Sequence, residues 1–207
     1  MGSGVMENLQ KDMQKNRKNL QKTITEPIVK LLVYLHISPN FISCFGFLLT
    51  LVGCVLIIGQ QLLCAAIIVL IAAAFDMLDG GVARATGKVS KHGEFLDSTL
   101  DRISEGALFI SLIISYNMQG DFTLIVALAA VALLVSLLVS YLRAKSEALS
   151  LPRTVGFFTR PERIITLTLG LALGYFMLEI LALALAVIAI CSFITAIQRA
   201  VYIWKNL

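Results

Sequence analysis

Between Phe41 and Ile197 the chain is a succession of apolar runs matched to the thickness of a bilayer, and no other feature limits its folds as strongly. A spanning helix needs about 20 mostly apolar residues. Phe41–Gly59, Leu62–Phe75, Phe95–Tyr116 and Phe122–Tyr141 each read as one span. Ile164–Ile197 is broken only by Glu179 and is too long for one, so the sequence predicts two, separated near Gly174–Glu179. Composition agrees. The chain is 58% hydrophobic and 14% charged with a mean hydropathy of +0.86, against about 45–50% and 25% in soluble domains. The expected fold is an all-α integral membrane protein with six transmembrane helices and an N-terminal amphipathic, juxtamembrane helix.

The flanking residues fix the expected organisation. Residues 1–5 read as an expression remnant ahead of Met6. Residues 6–37 form a basic and interfacial segment suited to anionic headgroups. Residues 38–207 form the six-helix domain. Of the 17 Lys and Arg residues, 16 fall in the N-terminal segment, the 2–3 and 4–5 connections or the C-terminal end, and Arg102 lies near the start of the third span, next to the 2–3 connection. With an even number of spans those segments share one side, and the positive-inside rule makes it cytoplasmic, together with both termini. Cys44, Cys54, Cys64 and Cys191 are scattered singly in apolar runs and read as buried free thiols.

Against this background Asp76, Asp79, Asp97 and Asp101 stand out. Spacings of three and four residues put each pair on one helix face. Four neighbouring carboxylates repel one another unless cations neutralise them. Arg84, Lys88 and Arg102 are near in sequence, and internal ion pairing with them is the structural alternative. Two Asp pairs on adjacent helices otherwise make an oxygen cage for hard divalent cations, Mg²⁺ or Mn²⁺, with phosphates and water completing the shell. Gly80, Gly81 and Gly87 read as breaks after the second helix. The two glycines at 80 and 81 permit close approach of a ligand, and Arg84 suits phosphate oxygens. Such a set points to phosphoryl chemistry, with one acid spared to accept a proton. Spacing alone leaves open which one. His92 reads as a surface residue and His36 as interfacial.

Asp76-x2-Asp79-Gly80-x2-Ala83-Arg84-x8-Gly93-x3-Asp97-x3-Asp101 resembles the whole signature of the CDP-alcohol phosphotransferases, without departure. Ser38-Pro39-Asn40 is similar to the Thr-Pro-Asn that often opens that family's first span. The resemblance implies transfer of a phosphatidyl-type group from a CDP-linked lipid to an alcohol, with release of CMP. It also implies a two-metal site in which Asp76, Asp79 and Asp97 are ligands, with Asp101 a ligand or the general base. Gly80, Ala83, Arg84 and Gly93 would line the cytidine diphosphate site, with Asn40 near the nucleotide. The family often forms homodimers, so a homodimer in the bilayer is expected, and nothing points to nucleic acid.

The acceptor is read from further along. Asp101-Arg102 and the residues after it, Ser140–Glu147, and Arg160-Pro161-Glu162-Arg163 resemble the inositol-phosphate-using branch, although Thr159 stands where that branch commonly has Glu. Arg143, Arg153, Arg160, Arg163 and Arg199 fall on the basic side and suit the phosphate of an anionic acceptor. The alternative for each is a positive-inside residue meeting lipid headgroups. The expected reaction makes phosphatidylinositol phosphate, or archaetidylinositol phosphate, from the CDP-linked lipid and inositol phosphate. The same chemistry with glycerol 3-phosphate, serine or inositol as acceptor, as in phosphatidylglycerophosphate synthase, or with a soluble CDP-inositol donor, is the alternative. Two further classes fit less well. Intramembrane prenyltransferases use wider acidic spacing, and a cation channel would bury its acids at mid-membrane.

Overall fold

The structure is a computed structural model describing residues 26–120, 123–151 and 155–207. All regular structure among these residues is helical. Helix α1 covers 26–34. It is followed by α2 (Pro39–Ile58), α3 (Leu62–Ala85), α4 (Lys91–Asn117), α5 (Thr123–Ala148), α6 (Arg160–Gly174) and α7 (Leu178–Lys205). Most of the predicted N-terminal segment, and Arg153, lie outside the described residues.

Local sequence accounts for where these helices begin. The Ser38 hydroxyl accepts the Phe41 N–H and Pro39 opens α2, where its missing N–H costs nothing. Ser90 caps α4 by accepting the Gly93 N–H at 3.1 Å. At α6 the Glu162 carboxylate reaches back to the Thr159 N–H at 2.8 Å and to its hydroxyl, with Pro161 in the first turn. The long apolar stretch divides where expected, with α6 ending at Gly174 and α7 starting at Leu178.

Helix neighbours are α2 with α3 and α4, α5 with α4 and α7, and α6 with α3 and α7. The six therefore close into a ring in the spatial order α2, α3, α6, α7, α5, α4, in which α4 and α6 stand opposite one another. Leu108, Leu112, Leu167, Leu171, Leu185 and Ile188 fill the interior. Small and hydroxylated residues such as Ala129, Ala132, Ser136 and Ser192 are buried on α5 and α7, as expected where helices must approach closely in lipid. Leu48, Val55, Ile67, Leu134, Leu183 and Phe193 are exposed on the outside, which suits contact with acyl chains. Helix α1 lies against the ring through Val29, Ile42, Leu78 and Val82.

Among the described residues, α2, α3, α7 and the Leu124–Ala148 part of α5 are long and apolar enough to cross a membrane. The protein is an integral membrane protein. Six such helices were expected, and α4 and α6 fall short for different reasons. The first turns of α4 carry Lys91, Glu94, Asp97, Asp101, Arg102 and Glu105. Helix α6 has 15 residues, about 22 Å at 1.5 Å per residue, against a hydrocarbon core of about 30 Å.

Two local expectations are corrected. Helix α3 runs through Gly80-Gly81 to Ala85, and the break falls at Gly87, whose φ of +66° suits glycine. Gly81 is a packing glycine, since a Cβ there would stand 2.8 Å from Val29 Cγ2. Nor are all the cysteines buried: Cys54 is, Cys191 is partly covered, and Cys44 and Cys64 are exposed. His36 and His92 are exposed, in line with the sequence reading.

The tightest crossing is that of α6 and α7, where a Cβ on Gly170 would lie 2.5 Å from Ala184 Cβ. Gly170→Leu is expected to cost about 1–3 kcal/mol by overpacking, seen as a lower unfolding midpoint of the purified protein in detergent. Gly106→Ala, whose nearest neighbour would be Leu133 Cδ1 at 3.8 Å, serves as the control with little change. An unaltered midpoint in Gly170→Leu would contradict the crossing.

Candidate active site

Short connections join α2 to α3, α4 to α5 and α6 to α7 at one end of the ring. The other end therefore gathers the starts of α2, α4 and α6 and the ends of α3, α5 and α7. Unbroken helix at Asp76 to Ala83 keeps Asp76, Asp79 and Ala83 on one side of α3. On α4, Asp97, Asp101 and Glu105 follow one another at four-residue steps and form a single acidic line.

Two cavities open at this end, and Glu94 and Asp97 belong to both. The first, about 340 Å³, lies between α2, α3 and the start of α4, lined by Asn40, Ser43, Asp79, Gly80, Ala83, Arg84, Lys88 and Gly93 among others. All five residues predicted for the CDP-linked lipid thus line one space. The glycines keep it open and tightly framed. A Cβ on Gly93 would lie 3.2 Å from Ser90 Oγ and 3.3 Å from Asn40 Oδ1, and one on Gly80 would lie 3.2 Å from Arg84 Nη1.

The second cavity, about 450 Å³, is bounded by α4, α5, α6 and α7. Asp97, Asp101 and Glu105 face Ser140, Arg143, Glu147, Arg160, Arg163 and Arg199 across it. Four of the five arginines predicted for the acceptor phosphate line it, and each is already engaged. Arg143 Nε pairs with Glu147 at 3.0 Å. Arg160 donates from Nη2 to Asp76 Oδ2 at 2.7 Å and forms an ion pair through Nη1 with Asp101 Oδ1, also at 2.7 Å. Arg163 is 1% exposed and grips Glu105 with two hydrogen bonds, from Nε at 2.5 Å and Nη2 at 2.8 Å. Arg199 donates to the carbonyls of Val139 at 2.8 Å and Val155 at 2.9 Å, which ties α7 to α5 and to the segment before α6.

The four aspartates are close enough for the charges of Asp76, Asp79 and Asp97 all to act on Asp101. Asp79 is almost wholly buried. The Ser43 hydroxyl donates to its Oδ2 at 2.6 Å, and the Gly80 N–H donates to its Oδ1. The internal pairing considered for Arg84, Lys88 and Arg102 does not occur among the described residues. Arg102 turns back to the Ser98 carbonyl of its own helix, and the guanidinium that reaches the acids, Arg160, comes from α6.

Among the described residues no three acidic, His or Cys side chains are already disposed as a metal-ligand set. The donor set nevertheless fits a hard divalent cation. It is all carboxylate oxygen, and Asp79 is a buried carboxylate without a cationic partner among the described residues. Such a charge requires compensation. Ser43, Arg160 as a carboxylate clamp, and Glu105 were not anticipated in these roles. Only Glu105 had a local signal, the continuation of the four-residue step from Asp97 through Asp101.

Residues 36–198 match the CDP-alcohol phosphatidyltransferase family. The chain is 37% identical over 191 residues to the phosphatidylinositol phosphate synthase of Corynebacterium glutamicum, covering 89% of this chain and 86% of that one. It is 37% identical over 183 residues to the archaetidylinositol phosphate synthase of Pyrococcus horikoshii, covering 88% and 92%. Crystal structures of Mycobacterium tuberculosis phosphatidylinositol phosphate synthase superpose closely. The form with CDP-DAG bound gives a TM-score of 0.78 at 33% identity, covering 88% of this chain and 94% of that one. The form in complex with manganese and citrate gives 0.79 at 32% identity, covering 87% and 88%. With the matched segment spanning α2 to α7, and Asp79, Asp97 and Asp101 lining the two adjoining cavities, the chain belongs to the CDP-alcohol phosphatidyltransferase family and is a phosphotransferase.

Proposed function

We propose that the protein transfers the phosphatidyl group of CDP-diacylglycerol, or the archaetidyl group of CDP-archaeol, to inositol phosphate and releases CMP. The observation that carries this reading is the pair of adjoining cavities. One is framed by glycines and Arg84, the other by arginines; Asp79 lines the first, Asp101 the second and Asp97 both, while Asp76 is joined to Asp101 through Arg160. The relatives named for this activity support the choice of acceptor.

In this reading Asp76, Asp79, Asp97 and Asp101 hold two divalent cations, Mg²⁺ or Mn²⁺. Bound there, the cations would polarise the diphosphate and stabilise charge on the departing CMP. Asn40, Gly80, Ala83, Arg84 and Gly93 hold the cytidine diphosphate end, and the glycines let it approach the α3 and α4 backbones. Arg143, Arg160, Arg163 and Arg199 receive the acceptor phosphate, and Arg153 is assigned with them from sequence. Asp101 accepts the proton of the attacking inositol hydroxyl. A bond forms between that oxygen and the lipid-side phosphorus, and the bond from this phosphorus to the CMP oxygen breaks. Arg160 touches both Asp101 and Asp76, so it also restrains the rotamer of the base.

We further infer six spans with the active end and both termini at the cytoplasmic face of a cytoplasmic or inner membrane, and a homodimer in the bilayer. The clustering of basic residues at the active end supports the orientation. In a cysteine-free background, Gln119→Cys in sealed cells should react with an impermeant maleimide, and Lys205→Cys only after permeabilisation. The reverse pattern would overturn the orientation. Chemical cross-linking in native membranes tests the dimer.

Asp101→Asn should lower CMP release by about 10²–10⁴-fold, the usual contribution of a general base, while CDP-lipid binding persists. Full activity in that variant would overturn the assignment of the base. Purified protein given CDP-diacylglycerol with inositol phosphate, inositol, glycerol 3-phosphate or serine should release CMP fastest with inositol phosphate. No turnover with inositol phosphate would overturn the acceptor, and chelation of divalent cations should stop the reaction.

A further inference from the structure

Arg163 is the most deeply buried guanidinium among the described residues, 1% exposed, yet it belongs to the wall of the arginine-rich cavity. Its hydrogen bonds are unevenly used. Glu105 occupies the side of the guanidinium that carries Nε and Nη2, at 2.5 and 2.8 Å, whereas Nη1 is buried with no partner. A guanidinium has five N–H donors in a rigid plane. With one side held by a carboxylate, the end formed by Nη1 and the remaining Nη2 hydrogen stays available as a second fork. Two phosphate oxygens match that geometry. A buried donor left unpaired has lost its water without a replacement partner, so a ligand that satisfies Nη1 recovers that cost on binding.

Glu105 is placed for this by the same step that places the base. It lies four residues after Asp101 on α4, and Arg163 lies three after Arg160 on α6. Asp101–Arg160 and Glu105–Arg163 are therefore successive rungs crossing from one side of the ring to the other. The upper rung touches the acid cluster, and the lower one is wholly buried, its two side chains 3% and 1% exposed.

We infer that Glu105 is a positioning residue for the acceptor: by holding one edge of Arg163 it presents the free edge to the acceptor phosphate, and so helps select phosphorylated over neutral polyols. This rests on the reading of the arginine cavity as the acceptor site. A role confined to charge balance would act in the opposite direction. Removing a negative charge beside an anion site strengthens anion binding if geometry is irrelevant, and weakens it if geometry governs.

The test is calorimetric binding of inositol phosphate and of inorganic phosphate to the purified full chain with Mn²⁺ and no CDP-lipid, together with steady-state kinetics. Glu105→Gln should weaken inositol phosphate binding and raise its KM by roughly tenfold or more, the value of one or two charge-assisted hydrogen bonds. The KM for CDP-lipid should not move, and kcat should fall less than the acceptor KM rises. Arg163→Lys, which keeps the charge but loses the fork, should show the same split. If Glu105→Gln does not fold, Glu105→Asp decides, because it keeps the charge and draws the guanidinium back, and its acceptor affinity should fall several-fold. Unchanged or tighter binding in the Glu105 variants would overturn the inference. If wild type binds neither probe, the acceptor reading itself fails.

Discussion

Two arginines of α6 reach across the middle of the helix ring to the acidic line of α4, and the arrangement of the active end depends on that crossing. Arg160 joins Asp101 to Asp76 of α3, so one guanidinium binds three helices at 2.7 Å contacts. One turn deeper, Arg163 closes on Glu105. Charge at membrane depth has to be compensated inside the protein, and breaking one partner of a buried pair typically costs about 3–5 kcal/mol. These rungs therefore fix the rotation of α4 and α6 about their axes. That rotation in turn decides which residues face the cavities.

The two cavities differ in how their charges are held. On the glycine-framed side, Asp79 is satisfied by neutral donors, the Ser43 hydroxyl and the Gly80 N–H, which leaves its negative charge available to a cation. On the arginine side, Arg143, Arg160 and Arg163 each have a carboxylate partner, and Arg199 is held by backbone carbonyls. The acceptor side is thus a network of shared donors in which an incoming anion takes up unfilled hydrogen-bonding capacity. Asp97 belongs to both cavities, which is the geometry that transfer from one ligand to another requires.

What could be read from the sequence is what depends on neighbours along one helix. The spacing of Asp76 with Asp79, and of Asp97 with Asp101, gives shared faces without knowledge of the ring, and the division of the last apolar stretch follows from length alone. Pairings between helices depend on ring order, which local pattern does not encode. The cations weighed as alternative partners for the acids were therefore the sequence neighbours Arg84, Lys88 and Arg102, whereas the one that reaches Asp76 and Asp101 is Arg160 of α6. Gly80-Gly81 has the local propensity of a break, but packing of Gly81 against Val29 overrides it. The five apolar runs were visible as well, the last long enough for two spans. The structure adds that α4 gives up apolar length to carry the acids and that α6 is short.

The central claim is that the four carboxylates hold divalent cations where the two cavities meet. Mn²⁺ titration of the purified protein, followed by electron paramagnetic resonance, tests it most directly. Two ions per chain with the signature of magnetic coupling are predicted for the wild type, with loss of that coupling in Asp97→Asn. Uncoupled binding, or binding indifferent to Asp97→Asn, would contradict it.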